Sequence, residues 1–257
     1  MRRFSLALTF CIFLAIAGVI SGLVLYPSLP ALAASLASPE IRFAIGLSII
    51  TSTISTAICV ALAIPTAYAL ARYEFPGKKI VSLVLTIPLA LPPLVAGIAL
   101  LLFFGTTTWG KLLESMGFEV IFTPLGIIVA EIFVNLPYMI RILKSSYAAI
   151  NPRYENVAKT LGCTDTGAFL QVTLPLARPG LVAGTTITWA KSMGEFGAVL
   201  MLAGATMMRT ETLPMALYLN ISAGDLDMAV AASVILILIS LAALFVVEHF
   251  SDEAHVF

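Results

Sequence analysis

The sequence predicts an all-α integral membrane protein, with about six transmembrane helices and short helices on its cytoplasmic face. Three observations predict it. Of the residues, 60% are hydrophobic and only 11% charged, against about 25% charged in a soluble domain. The mean hydropathy is +1.04. The apolar residues also gather into runs of about 20 or more, the length that crosses a bilayer. A chain of 257 residues so poor in charge cannot cover a globule with water-compatible surface, whereas lipid tails solvate apolar faces directly.

Six runs qualify as spans: 4–25, 44–71, 80–104, 124–143, 181–204 and 228–249. The first has two readings. Arg2 and Arg3, an apolar run and Ala31-Leu32-Ala33 match a cleavable signal peptide, yet the run of 22 residues exceeds the usual core of about 7–15. A retained helix is the expectation. The chain then divides into an N-terminal helix and outer loop (1–43), a transmembrane domain (44–250) and a cytoplasmic tail (251–257).

Basic residues set the orientation. With both termini cytoplasmic, Arg2, Arg3, Arg72, Lys78, Lys79, Arg141, Lys144, Arg153, Lys159 and Arg178 lie inside or at that edge. Only Arg42, Lys111 and Arg209 lie outside, and Lys191 falls within a span. Ten against three is the bias expected of a plasma-membrane protein with an even number of spans.

One segment breaks the apolar pattern. Residues 144–180 carry charges together with Pro152, Pro175 and Pro179, and hold no apolar run long enough to span. Within it, Ile150, Val157, Leu161 and Phe169 give 149–170 helical character. A short helix ending near Gly162 exposes side chains to a partner, the glycine permits a left-handed cap, and the prolines stiffen the return to the membrane. A rigid knob of this kind transmits displacement to the spans.

The stretch from Tyr154 to Gly162, followed by Val172 to Gly180, resembles the signature loop of binding-protein-dependent ABC importer permeases of type I. That pattern is Glu-Ala-Ala, three residues, Gly, nine residues, then Ile-x-Leu-Pro. Here Ala158 takes the second Ala position, Gly162 the glycine, Val172 the Ile, and Leu174 and Pro175 complete it. Asn156 stands at the Glu position with Glu155 one residue earlier, and Val157 replaces the first Ala. The resemblance implies that this coupling loop docks onto a separate ATPase subunit. The chain has no GxxxxGK[ST] phosphate loop of its own; Gly77-Lys78-Lys79 lacks the upstream glycine and the hydroxyl.

Polar residues inside spans form a second candidate site. Lys191 and Glu195 stand four apart in the fifth span, with Ser192 between them. Glu131 lies in the fourth, with Asn135 one turn on and Pro137 behind it. Either Lys191 attracts an anionic substrate, or it pairs with Glu195 or Glu131 to neutralise structural charge. The pairing is favoured, because a naked cation in a path would bind an anion too tightly to release it. The hydroxyls Ser48, Thr51, Ser52, Thr53, Ser55 and Thr56 either line a path or bond back to helix carbonyls.

The run Trp189-Ala-Lys-Ser-Met-Gly-Glu-Phe-Gly-Ala198 is similar to the molybdate, tungstate and sulfate branch of these permeases, and Arg209-Thr-Glu-Thr-Leu-Pro214 resembles an outer loop of the molybdate members. The resemblance implies a homodimer that imports a tetrahedral oxyanion by alternating access. Two ATPase subunits would consume ATP and Mg, and an extracytoplasmic oxyanion-binding protein would deliver the cargo. No cofactor is expected on this chain itself, and sulfate remains an alternative cargo.

Other classes fit less well. A net charge of zero offers nothing to nucleic acid. Cys11, Cys59 and Cys163 form neither a CxxC pair nor a metal spacing. An intramembrane enzyme would need a converging cluster, yet the only histidines are His249 and His255. A secondary transporter would bring a coupling-ion site and often inverted repeats, and would leave the 162–175 loop unexplained.

Overall fold

The computed structural model describes residues 1–252; the end of the expected tail, 253–257 with His255, lies outside the described residues. The first helices are α1 (Arg2–Val24), α2 (Leu29–Ala37), α3 (Pro39–Arg72), α4 (Lys78–Ala90), α5 (Pro93–Thr106), α6 (Thr108–Ser115) and α7 (Pro124–Ala149). Then come α8 (Arg153–Thr160), α9 (Asp165–Ala168), a π-turn (Phe169–Thr173), α10 (Leu174–Leu176), α11 (Arg178–Met193), α12 (Gly197–Ala203), α13 (Leu213–Ala223) and α14 (Leu226–Asp252). No strand occurs among the described residues.

The bundle is built around α3 and α7, which share its most extensive helix contact. Ser38 starts α3: its hydroxyl accepts the Ile41 amide at 3.2 Å, and Pro39 enters with φ already set. At 1.5 Å per residue α3 is about 51 Å long, so its ends stand clear of a hydrocarbon core about 30 Å thick. The helix α1 buries no residue and packs only lightly, on α14. A helix apolar all round with no protein around it presents its surface to lipid.

The expected number of about six spans is roughly consistent with the structure, in which two of the expected runs are not straight. Among the described residues four helices, α1, α3, α7 and α14, are long and apolar enough to cross a membrane unaided. The third expected span, 80–104, is α4 and α5, bent by 114°. Its cause is local. Pro92 and Pro93 force the residue before each of them out of helical conformation, and Leu91 and Pro92 both have ψ of 136°. The fifth, 181–204, divides at Gly194, Glu195 and Phe196 into α11 and α12.

The two broken spans lock together. A Cβ at Gly97 on α5 would lie 2.7 Å from that of Met201, and one at Gly197 would lie 2.9 Å from Pro93 Cβ, so only glycine permits this approach. Ala96, Ile127, Ala130, Ala198, Val199 and Leu202 fill the resulting cluster. A second cluster joins the far ends of α3 and α7 through Ala67, Leu70, Leu143 and Tyr147. A third joins α3, α11, α13 and α14 through Ala44, Met193, Leu213 and Ala232. Here 205–227, the stretch left between the fifth and sixth expected spans, contains α13, whose 11 residues are too few to span.

Candidate functional site

Between the end of α7 at Ala149 and the start of α11 at Arg178, the segment folds into the expected short helices. Glu155 in the first turn of α8 is 5% exposed. One of its oxygens accepts from Arg72 Nε at 2.8 Å and Thr173 Oγ1 at 2.7 Å, the other from the Tyr68 hydroxyl at 2.9 Å. Arg72 also donates to the Ile150 carbonyl at 3.0 Å. Burial pushes the Glu155 carboxyl up, but the bonds from Thr173, Arg72 and Tyr68 outweigh it and hold it below the ordinary carboxylate range. Glu155 therefore ties α8 to the end of α3 and is not free to reach a partner.

The rest of α8 points outward. Tyr154, Val157 and Leu161 are 58%, 56% and 81% exposed, at spacings that place them on one side of the helix. Asn156 is exposed beside them, and Ala158 is buried underneath. The helix stops in a Schellman turn: Cys163 N–H donates to the Ala158 carbonyl at 3.1 Å and Gly162 N–H to that of Lys159 at 3.0 Å. Gly162 takes φ +96°, as that turn requires. Val172 and Leu174 are half-buried on the return path, and Pro175 is exposed in α10. What results is an apolar ridge on a base fixed by a buried ion pair.

The intramembrane residues converge at mid-bundle. Glu131 is 1% exposed and accepts from Ser55 at 2.6 Å and Thr51 at 3.2 Å. Ser55 approaches Ser192 at 3.4 Å, and Asn135 Nδ2 donates to Ser192 at 3.0 Å. One network thus fastens α3, α7 and α11. Lys191 stays outside it, which corrects the expected pairing: no ion pair joins Lys191 to Glu195 or Glu131. Its ammonium lies 4.2 Å from the centre of the Tyr138 ring. Glu195 instead accepts the Ala198 amide at 3.1 Å, because α11 ends at Met193 and four-residue spacing no longer means a shared face.

Several functional partners were not singled out from the sequence: Tyr68, Arg72 and Thr173 around Glu155, and Tyr138 beneath Lys191. A signal existed for two of them, since Tyr68 and Arg72 stand one turn apart at the polar end of a span. In the 209–214 stretch, Glu211 is buried and accepts the Met208 amide at 2.9 Å. Burial, helped by the nearby Glu40 charge, raises its carboxyl above the ordinary range.

Known proteins resemble this chain in sequence and in fold. The family model described as the binding-protein-dependent transport system inner membrane component matches residues 60–254. The chain belongs to that family: it is a multi-pass inner-membrane permease of the ABC importer type. The molybdenum transport system permease protein ModB of Mycobacterium tuberculosis is 40% identical over 210 residues, 80% of this chain and 78% of that one. The sulfate transport system permease protein CysW of Synechocystis is 34% identical over 206 residues, 80% and 75% of the two chains. A chain of a bacterial alginate ABC transporter has the same fold, with a TM-score of 0.74 over 96% of this chain and 91% of that one at 17% identity.

Proposed function

We propose that this permease imports a tetrahedral oxyanion, molybdate or tungstate in preference to sulfate, using ATP hydrolysed by a separate subunit. The observation that carries the coupling is the α8 knob. Its exposed Tyr154–Val157–Leu161 ridge suits a groove on an ATPase, and the buried Glu155–Arg72 pair passes displacement directly to α3. The greater identity to a molybdenum permease, 40% against 34% for a sulfate one, supports the choice of cargo.

In this reading both termini are cytoplasmic, as the basic residues favour. Two copies form the pathway, each carries one ATPase on its α8, and an extracytoplasmic protein delivers the oxyanion. ATP and Mg stay with the ATPase, and this chain binds no cofactor. ATP binding draws the two knobs together, and the bundle rocks between inward and outward openings. Coupling requires that the ATPase contacts differ between those two states.

Uptake of labelled molybdate into cells expressing the complete system tests the cargo. Tungstate should compete at concentrations well below those of sulfate. Equal competition by sulfate would favour the sulfate reading, for which the resemblance to CysW speaks.

A further inference from the structure

Three cavities follow one another along α4 and α7, each sharing lining residues with the next. The first, of about 900 Å³, opens at the start of α4, where Lys78, Lys79, Ser82 and Lys144 line it. The second, of about 390 Å³, shares Ser82, Thr86 and Lys144 with the first and adds Arg141. The third, of about 650 Å³, shares Leu85 and Ile140 with the second and continues between α4, α5 and α7, past Pro88 and Leu136 as far as Val129. Every described residue that lines this third cavity is apolar. Fifteen residues separate Val129 from Lys144, about 23 Å along α7. One leaflet with its headgroups is about 20–22 Å deep, half of a bilayer. The groove is therefore one leaflet long, charged at the α8 end of the bundle and apolar towards the membrane centre.

The charged end is short of anions. Glu74 is the one acid on its wall, and it is already paired with Lys78 at 2.7 Å. Among the described residues Lys79, Arg141 and Lys144 form no ion pair. Arg141 and Lys144 stand three apart on α7 and share a face; Arg141 and Lys79 are exposed and Lys144 is half-buried. The Ser82 hydroxyl has no hydrogen-bond partner among the described residues, since Thr86 bonds only to the Ser82 carbonyl. The first turn of α4 follows Gly77 without a side-chain cap, so the positive end of its dipole adds to the same field.

We propose that this groove binds an anionic phospholipid. Lys79, Arg141 and Lys144 face its phosphate, Ser82 donates to it, and one acyl chain lies in the apolar cavity between α4, α5 and α7. Basic pockets between spans at a membrane surface take anionic headgroups, and each Lys or Arg there is worth about fivefold in affinity. A soluble anion would use the basic end and leave the apolar two-thirds empty. A helix of a second copy would fill the apolar part, and α1 is the one that buries nothing. Charge opposes it. Because α1 and α3 cross in opposite directions, Arg2 and Arg3 of α1 would lie on the α8 side against these cations, and α1 has no acidic residue to offer. The inference needs only a chain that spans a bilayer, so it stands or falls apart from the choice of cargo.

The full chain, purified from membranes in mild detergent, is titrated with phosphatidylglycerol or phosphatidylcholine, and bound lipid is counted by native mass spectrometry. Phosphatidylglycerol should bind more tightly by about tenfold or more. The pair Lys79→Gln/Lys144→Gln should weaken it by about 25-fold, two charges at about fivefold each, and leave phosphatidylcholine unchanged. Equal binding of the two lipids, or parental affinity in the glutamine pair, overturns the site. A large excess of inorganic phosphate at matched ionic strength should not displace the lipid; displacement would overturn the lipid in favour of a free anion. If the glutamine pair cannot be purified, a measurement on the parental chain decides. Photoactivatable leucine is incorporated in place of leucine, and the chain is irradiated in a bilayer of both lipids in equal amounts. Adducts at Leu85 and Leu136 should be richer in phosphatidylglycerol than those at Leu8 and Leu14 of α1, by about fivefold or more. The same lipid ratio at all four positions overturns the site, and so does a peptide of a second copy joined to Leu85 or Leu136.

Discussion

The Arg72 guanidinium meets the Glu155 carboxylate at 2.8 Å, with side chains only 9% and 6% exposed, joining the end of α3 to the first turn of α8. Removing one partner of a buried ion pair strands the other charge and costs about 3–5 kcal/mol. Glu155→Ala should therefore lower the thermal stability of the purified chain as well as its capture of the ATPase. Glu155→Gln should cost less, since its amide oxygen still accepts from Thr173 or Tyr68. Thermal unfolding in detergent separates the cases. If Glu155 served only to contact the ATPase, Glu155→Ala would leave the melting temperature untouched.

The same carboxylate has a pH signature. Its folded-state value lies below the ordinary 4.5, so its contribution to stability is fully present above about pH 5 and fades only as pH falls through the lower folded value. Stability of the wild-type chain should be flat with respect to this group between about pH 5 and 8. In strong acid the difference between wild type and Glu155→Gln should shrink. A gap that instead widens towards acid would contradict the hydrogen-bond pattern seen here.

These anchors mark where the sequence was readable. Straight spans show in the apolar runs because length and hydropathy suffice to detect them. The 114° bend between α4 and α5 does not, since a window average carries no direction; only Pro92 and Pro93 hinted at it. For α13 the obstacle was length, because its apolar stretch is too short for a span and sits in a segment otherwise polar. In the loop, the Gly162 to Pro175 spacing placed the knob correctly, whereas the inward turn of Glu155 depends on Tyr68 and Arg72, 87 and 83 residues away. The Lys191–Glu195 pairing failed because it assumed a continuous helix where Gly194 ends one.

Gly162 offers a sharper test of the knob than bulk alone. Among the described residues no atom lies within 4 Å of where its Cβ would be, so its φ of +96° is what resists substitution. Asn tolerates left-handed backbone and Val does not. Gly162→Asn should keep uptake near the parental rate. Gly162→Val should distort the end of α8 at a cost of about 1–2 kcal/mol and lower uptake relative to ATP hydrolysis. Equal effects of both variants would show that space at the docking face, not backbone conformation, is what Gly162 provides.

Lys191 should be coupled more strongly to Tyr138, whose ring it overlies, than to Glu195, with which it forms no ion pair. A cation held over an aromatic ring contributes about 0.5–2 kcal/mol. A double-mutant cycle of Lys191→Met with Tyr138→Leu should return an interaction energy of that size in thermal unfolding, while Lys191→Met with Glu195→Gln should return a smaller one. Additivity in the first cycle and coupling in the second would restore the ion pair that the helix break argues against.

Glu131 binds α7 to α3 as an acceptor, and that role can be kept without the acid. Glu131→Gln preserves an oxygen within reach of Ser55, now at 2.6 Å, and should be tolerated with a small loss of stability. Glu131→Leu leaves the buried Ser55 and Thr51 without that acceptor, at about 1–3 kcal/mol for each donor left unmatched. Both hydroxyls retain a backbone carbonyl, on Ser52 and Ser48, at 3.2 and 3.4 Å, so the loss should fall towards the lower end of that range. Melting temperatures of the two variants, measured with their uptake rates, check the order. If Gln were as damaging as Leu, the carboxylate would have a task beyond fastening the helices, and its charge would have to be sought in the transport cycle.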